Sequence, residues 1–197
     1  MINGHFEDSL VKDVAAGVIG GLAASWVMAK FMEGGVQLME RRGYSKAAIH
    51  KRMPSTPEGE EPTVKTATVV AQTVLTRRLS KRQKEHVGPA VHYSFGTFLG
   101  AVYGALACRL PGVGAGWGLP YGSAVWLGAS ETALPLLKLS KPPAHYPSST
   151  HLFGLAAHWV YGLTLYGVCS LAHRLMEGNV RLPRFQAVRR PMERVID

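Results

Sequence analysis

The sequence has little charge and few cysteines, and it lacks the short motifs by which many enzymes are recognised. Charged residues make up 18% of the 197 residues, against roughly 25% in a typical soluble domain. The two cysteines form neither a CxxC nor a CxxCH motif, which excludes thioredoxin-like chemistry and c-type haem attachment. No GxxxxGK[ST] phosphate-binding string and no HExxH zinc motif occurs. These absences favour a protein that is not an enzyme, without deciding the question.

Four apolar stretches carry almost no charge and are predicted to cross a membrane. They cover about 14–32, 87–108, 113–137 and 150–172. Each is close to the roughly 20 apolar residues that a helix needs to span the hydrocarbon core. The sequence therefore predicts an all-α integral membrane protein with four transmembrane helices in one domain, residues 1–175. A soluble bundle of buried helices is the alternative.

The segments outside these stretches are basic. Residues 33–86 are predicted to form a long loop, in which an amphipathic helix over about 64–84 lies on the membrane surface or packs on a partner protein. Residues 176–197 form an arginine-rich tail. Anionic lipid head groups explain the net charge of +9 more simply than nucleic acid does. The expected partners are therefore the lipid bilayer, other membrane protein subunits or a second copy of the chain.

Glycines are spaced so that helices can approach each other closely. Inside lipid there is little hydrophobic drive between helices, so close backbone contact through small residues becomes important. The glycines that we expect at helix contacts are Gly17 and Gly21 in the first stretch, Gly96, Gly100 and Gly104 in the second, and Gly118 and Gly122 in the third.

Polar side chains are predicted to gather in one half of the membrane. If four helices cross the membrane, one membrane face bears the long loop. The second and fourth helices begin at that face, and the third helix ends there. The predicted cluster consists of His92, Tyr93, Glu131, His145, Tyr146, His151 and His158. Because ionisable groups inside a membrane are costly, they usually face the bundle interior or a wet cavity.

Three uses of this cluster remain open. It can be a structural hydrogen-bond network, a pathway for protons or a small solute, or a binding site for a metal or b-type haem. The candidate ligands for the last use are His92, His151 and His158. No cofactor follows from the sequence.

The segment SKPPAHYPSSTH connects the third and fourth stretches. Its prolines are expected to end the third helix and hold an extended connection. Its serines and threonine, Ser148, Ser149 and Thr150, offer side-chain oxygens that can cap the fourth helix. The segment is therefore predicted to cover the polar cluster.

Two strings, HYSFGTFLGAVYG and LSKPPAHYPSSTH, carry a resemblance to a known family. Over about residues 64–174 the chain resembles the YagU-like family of bacterial inner-membrane proteins, a domain of unknown function. The resemblance implies that the histidines corresponding to His92 and His158, an acidic residue near Glu131, and the YPxSTH string recur among members of that family. It implies no established reaction, cofactor or substrate.

The membrane orientation has two conflicting indications. The face that bears the long loop carries 13 Lys and Arg residues against 8 on the other, which favours placing it in the cytoplasm. The resemblance implies the reverse, with both termini in the cytoplasm. On function, we expect a non-catalytic accessory or structural subunit of a membrane complex, or a homo-oligomer.

Overall fold

The described part of the chain is helical wherever it has regular secondary structure. The computed structural model describes residues 2–56, 59–74, 76–107, 109–110 and 112–176. The helices are α1 (Ile2–Arg41), α2 (Lys46–Arg52), α3 (Pro62–Val74), α4 (Lys81–Ala107), α5 (Leu119–Val125), a π-helical segment (Trp126–Ala133), α6 (Leu134–Leu136) and α7 (Ser148–Met176). Two 3-10 turns cover Ala115–Gly118 and Pro143–His145. The predicted tail lies outside the described residues, apart from Met176 at the end of α7.

The prediction of four transmembrane helices is wrong. In the described residues, only Leu10–Arg41 of α1 and the whole of α7 are long and apolar enough to cross a membrane. The core helix of a soluble protein can have the same length and composition. Helix α4 has the length, but it begins with the charged sequence KRQKE and includes four glycines and two histidines.

The third predicted stretch fails for a backbone reason. Gly116, Trp117 and Gly118 have φ values of 62°, 58° and 83°, so the chain is left-handed there and no right-handed helix continues through it. After α5 the backbone widens into the π-helical segment, and α6 ends within three residues. The stretch 113–137 is therefore a series of short helical pieces.

The long loop is also more structured than the sequence indicated. The predicted helix over 64–84 is divided, because α3 ends at Val74 and Thr76 has a φ of 51°. Helix α4 then starts with a capping box: the Ser80 N–H donates to Oε1 of Gln83 at 2.9 Å, and the Gln83 N–H donates to Oγ of Ser80 at 3.3 Å. Helix α3 packs on α4 of the same chain.

Helices α4, α1, α7 and the short α5 pack side by side in that order, as an arc. Helix α1 packs antiparallel to both α4 and α7, and α5 packs antiparallel to α7. Helices α4 and α5 are bridged by Tyr121, whose hydroxyl donates to the Leu99 carbonyl at 2.6 Å and whose ring centroid lies 4.9 Å from that of Tyr103. The core lies along α1 and α7 and consists of Ala24, Met28, Tyr103, Ala157, Tyr161, Leu165 and Cys169.

The structure places all seven singled-out glycines at helix crossings. A Cβ added at Gly17 or Gly104 would collide with the backbone of the facing helix, and one at Gly21 would lie 2.6 Å from the Gly96 carbonyl oxygen. At the second crossing, a Cβ on Gly118 or Gly122 would meet carbonyl oxygens of α7. The helix axes can approach this closely only because side chains are absent there.

Candidate functional site

A polar site that joins three elements lies where the π-helical segment meets the start of α7. Nδ1 of His151, in the first turn of α7, lies 3.0 Å from the Glu131 carboxylate. Nε2 of the same ring lies 3.1 Å from the carbonyl oxygen of Pro143, in the 3-10 turn. The two side chains are 27% and 17% exposed. We refer to His151, Glu131 and Pro143 as the clasp, because they join three separate elements.

The hydrogen-bond partners determine how many protons the clasp holds. A carbonyl oxygen only accepts, so Nε2 of His151 carries a proton and donates it to Pro143. The contact between Nδ1 and Glu131 needs one further proton, which belongs to either the imidazole or the carboxyl group. In both cases the pair has no net charge. A histidine held in this way has no free nitrogen for a metal or a substrate.

His158 lies two turns deeper on α7 and has its own partners. Its Nδ1 donates to the Gly154 carbonyl at 2.7 Å, which leaves Nε2 as the acceptor for the Ser130 hydroxyl at 3.5 Å. His92 lies on α4, where Nε2 donates to the Ser25 carbonyl of α1 at 3.3 Å. These two histidines therefore fix helix contacts separately from the clasp.

The other predicted members of the cluster lie at different places. Tyr93 contacts His92 edge-on, with ring centroids 5.6 Å apart. The ring of Tyr146 lies edge-on to His151, with centroids 6.4 Å apart, so it adjoins the clasp. His145 is exposed in the 3-10 turn. Of the seven predicted residues, the structure brings Glu131, His151 and Tyr146 together.

The connection before α7 holds the loop that follows α2. The Tyr146 hydroxyl donates to the Ser55 carbonyl at 2.8 Å and accepts from the Ser55 N–H at 3.0 Å. The Thr150 hydroxyl donates to the Arg52 carbonyl at 2.7 Å, and Ser149 accepts from the Arg52 guanidinium at 3.3 Å. Ser149 and Thr150, in the first turn of α7, thus bind this loop. We call these contacts the loop junction.

A second acid–imidazole pair lies at the opposite end of α7. Nε2 of His173 is 3.3 Å from Oδ1 of Asp13, whose side chain is 8% exposed. The other oxygen, Oδ2, is buried and has no hydrogen-bond partner among the described residues. This pair was not predicted from the sequence. The antiparallel order of the first and last apolar stretches could have revealed it, since both residues lie at the end of the bundle away from the long loop.

No three metal-binding side chains converge in the described part of the chain. No group of three or more His, Cys, Asp or Glu residues within 2–56, 59–74, 76–107, 109–110 and 112–176 is arranged to hold a metal ion. The candidates His92, His151 and His158 each use a ring nitrogen on a backbone carbonyl. Cys108 lies outside the described residues.

Comparison with known families places the chain in one of them. A family model described as a protein of unknown function, DUF1440, matches residues 43–166. The chain belongs to the DUF1440 family. The matched region includes the clasp, His92, His158 and the loop junction, whereas α1 and the Asp13–His173 pair lie outside it. No curated protein and no solved structure matches the chain. Family membership brings no activity with it.

Proposed function

We propose that this protein is a non-catalytic integral membrane protein that serves as a structural or accessory subunit of a membrane complex or of a homo-oligomer. One observation carries the proposal: both ring nitrogens of His151 are engaged, by Glu131 and by Pro143. The clasp is thereby used to join three elements of the chain. It does not present a free base, nucleophile or ligand.

The exposed side chains of α1 and α7 support membrane placement. Ile19, Leu22 and Trp26 follow each other at helical spacing on α1 and are 57%, 52% and 55% exposed. On α7, Leu152 and Leu171 are 67% and 55% exposed. Large apolar side chains along the outer faces of two long apolar helices are suited to contact with lipid. The resemblance to YagU-like proteins supports the bacterial inner membrane as the location.

We expect association with another subunit in the membrane to use these outer faces. The glycine faces are occupied within the chain, by the α1–α4 and α5–α7 crossings. A partner helix in the same membrane would therefore pack on the apolar outer side of α1 or α7. The basic segments before α4 remain available for anionic head groups.

Two measurements test the proposal. Alkaline carbonate extraction of membranes should leave the protein in the pellet, because its anchoring is apolar; release into the supernatant would overturn membrane integration. Purification from native membranes in a mild detergent should then give a species larger than one chain. A monodisperse monomer, recovered without any partner, would exclude the subunit role.

A proton pathway is the second candidate, and it is favoured by the two acid–imidazole pairs at opposite ends of α7. Glu131–His151 stands at one end and Asp13–His173 at the other, with His158 on the helix between them. In vesicles loaded with a pH-sensitive dye, Glu131→Gln and Asp13→Asn should each slow proton entry if this pathway exists. Equal rates for both variants, the wild-type protein and the surface control Glu33→Gln would exclude it.

A further inference from the structure

The clasp closes only when its imidazole and its carboxyl group hold two protons between them. Nδ1 of His151 faces the Glu131 carboxylate at 3.0 Å, and Nε2 faces the Pro143 carbonyl oxygen at 3.1 Å. A carbonyl oxygen and an ionised carboxylate can only accept a hydrogen bond. Each of the two contacts therefore needs a proton of its own.

Loss of one proton leaves a single proton for two contacts. A neutral imidazole carries one N–H, on either Nδ1 or Nε2. Whichever of these tautomers His151 adopts, the other ring nitrogen then presents a lone pair to an oxygen lone pair. Turning the ring over exchanges the two nitrogens and leaves the same conflict. The deprotonated clasp must therefore give up one of its contacts.

The contact with Pro143 is the one that is lost. A hydrogen bond to an ionised carboxylate is roughly twice as strong as one between neutral groups, so the remaining ring proton of His151 stays on the side of Glu131. The Pro143 carbonyl also accepts from the Tyr146 N–H at 3.0 Å, so it keeps a donor when the ring withdraws. The 3-10 turn Pro143–His145 then loses its link to α7, while the π-helical segment keeps its own.

Other ionisable side chains on the elements around the clasp do not take over this role. They are Lys30 and Glu33 of α1, Arg52 of α2, His92 and Tyr93 of α4, Lys138, Lys141, His145 and Tyr146 of the connection before α7, and His158 of α7. Lys30 is paired with Glu33, and Arg52 is bonded to the first turn of α7. Within the described part of the chain, Glu131 is the only ionisable side chain that hydrogen-bonds to the His151 ring.

We propose that the clasp is a proton-operated latch, which holds the turn Pro143–His145 on α7 while it has two protons and releases the turn when one is lost. An isolated imidazole loses its proton near pH ~6.5, so a histidine latch of this kind responds to pH in the physiological region. Release would reach the loop junction, because Tyr146 lies edge-on to His151 and holds Ser55 through its hydroxyl. The latch goes beyond the subunit role proposed above and does not depend on membrane placement.

Glu131→Gln separates the latch from the contacts that it controls. The glutamine amide donates to Nδ1 of His151 while the Nε2 proton stays on Pro143, so this variant keeps both contacts with a neutral imidazole. Glu33→Gln, the same chemical change at an exposed carboxylate, is the matched control. The reporters are the amides of His145 and Tyr146, which donate to Pro142 and Pro143 within the turn. Their hydrogen exchange is measured in the full-length protein, with variants compared at the same pH so that the intrinsic pH dependence of exchange cancels.

At about pH 5.5, below the release of an isolated imidazole proton, the wild type and both variants should exchange alike. At about pH 9, the wild type and Glu33→Gln should exchange about fivefold faster than Glu131→Gln at the two reporters, as expected for loss of one ordinary hydrogen bond. Amides of the α1–α4 crossing should not differ. A ratio of wild type to Glu131→Gln that is the same at both pH values would overturn the proposal, and so would an acceleration spread over the whole chain.

The wild type alone decides the question if Glu131→Gln does not fold. Its exchange at His145 and Tyr146, divided by its exchange at the α1–α4 crossing, should rise about fivefold between the two pH values. A constant ratio would overturn the latch.

Discussion

His151 connects the carboxylate of Glu131, 3.0 Å from its Nδ1, with the carbonyl oxygen of Pro143, 3.1 Å from its Nε2. The ring therefore ties the end of the π-helical segment and the 3-10 turn to the first turn of α7. The π-helical segment has no buried residue of its own, so packing alone holds it weakly. The clasp is expected to be important for keeping it in place.

Removing the carboxyl group should destabilise the protein. Glu131→Leu removes the partner of Nδ1 of His151, and because that side chain is 27% exposed the loss should cost about 0.5–1.5 kcal/mol, as for an ordinary hydrogen bond. Glu131→Gln keeps a donor for that nitrogen and should cost at most about 1 kcal/mol. Thermal unfolding in detergent measures the difference. As a control, Glu33→Gln at the exposed Lys30–Glu33 pair should leave the midpoint nearly unchanged. Equal effects of the leucine and glutamine variants would contradict the role of the clasp.

A single methyl group at the α1–α4 crossing should separate these helices. A Cβ at Gly100 would lie 2.5 Å from Cα and 2.7 Å from N of Gly21, and backbone cannot move aside as a flexible side chain can. Gly100→Ala should therefore cost about 1–3 kcal/mol, as overpacking commonly does. Gly167→Ala meets nothing within 4 Å and should be neutral or slightly stabilising. Unfolding midpoints of the two variants check the contrast, and equal midpoints would refute the crossing.

Loss of one hydroxyl should loosen the loop junction. Tyr146→Phe leaves the Ser55 N–H without its acceptor, whereas the Ser55 carbonyl still accepts from the Lys141 N–H at 3.0 Å. One orphaned donor costs about 1–3 kcal/mol. Amide hydrogen exchange should accelerate at Ser55 and Thr56 in particular. Tyr44→Phe, which keeps the ring 5.2 Å from the Arg52 guanidinium carbon, is the matched control. Unchanged exchange at Ser55 in Tyr146→Phe would show that the bond contributes nothing.

The capping box should determine where α4 begins. Ser80→Ala removes the acceptor for the Gln83 N–H, and loss of such a cap costs about 0.5–2 kcal/mol. The effect should be local, with faster amide exchange in the first turn of α4 and little change at Gly100. Ser94→Ala, in the interior of the same helix, serves as the comparison. Fraying of the whole helix in Ser80→Ala would point to a different cause.

Topological reasoning from the sequence was sufficient for some contacts. Helix direction places Glu131 and His151 at the same end of antiparallel helices, where they pair. The same reasoning placed His92 and His158 with them, and those two have other partners. The four-residue spacing of Gly96, Gly100 and Gly104 puts them on one helix face, where α1 contacts them. These contacts depend on residue spacing, which the sequence contains.

Other features depend on backbone choices that spacing does not reveal. Hydropathy treats 113–137 as one apolar run, but Trp117 adopts a left-handed φ of 58° between two left-handed glycines. His158 contacts Ser130 and its own helix backbone, and not Glu131, which is the residue next to Ser130. Residue spacing does not show which of these two neighbours faces His158. The hydrogen bonds between the Tyr146 hydroxyl and the Ser55 backbone could not be predicted from the sequence, since 91 residues separate the two partners.

The position of α1 in the arc has a consequence for the order of assembly. Helix α1 is flanked by α4 and α7, so its two contact faces can be covered only after these later segments have been synthesised. Until α4 is complete, Gly17 and Gly21 form a bare backbone surface that any small-residue helix can occupy. The interval between synthesis of α1 and synthesis of α4 is therefore the period in which another helix can compete for this surface.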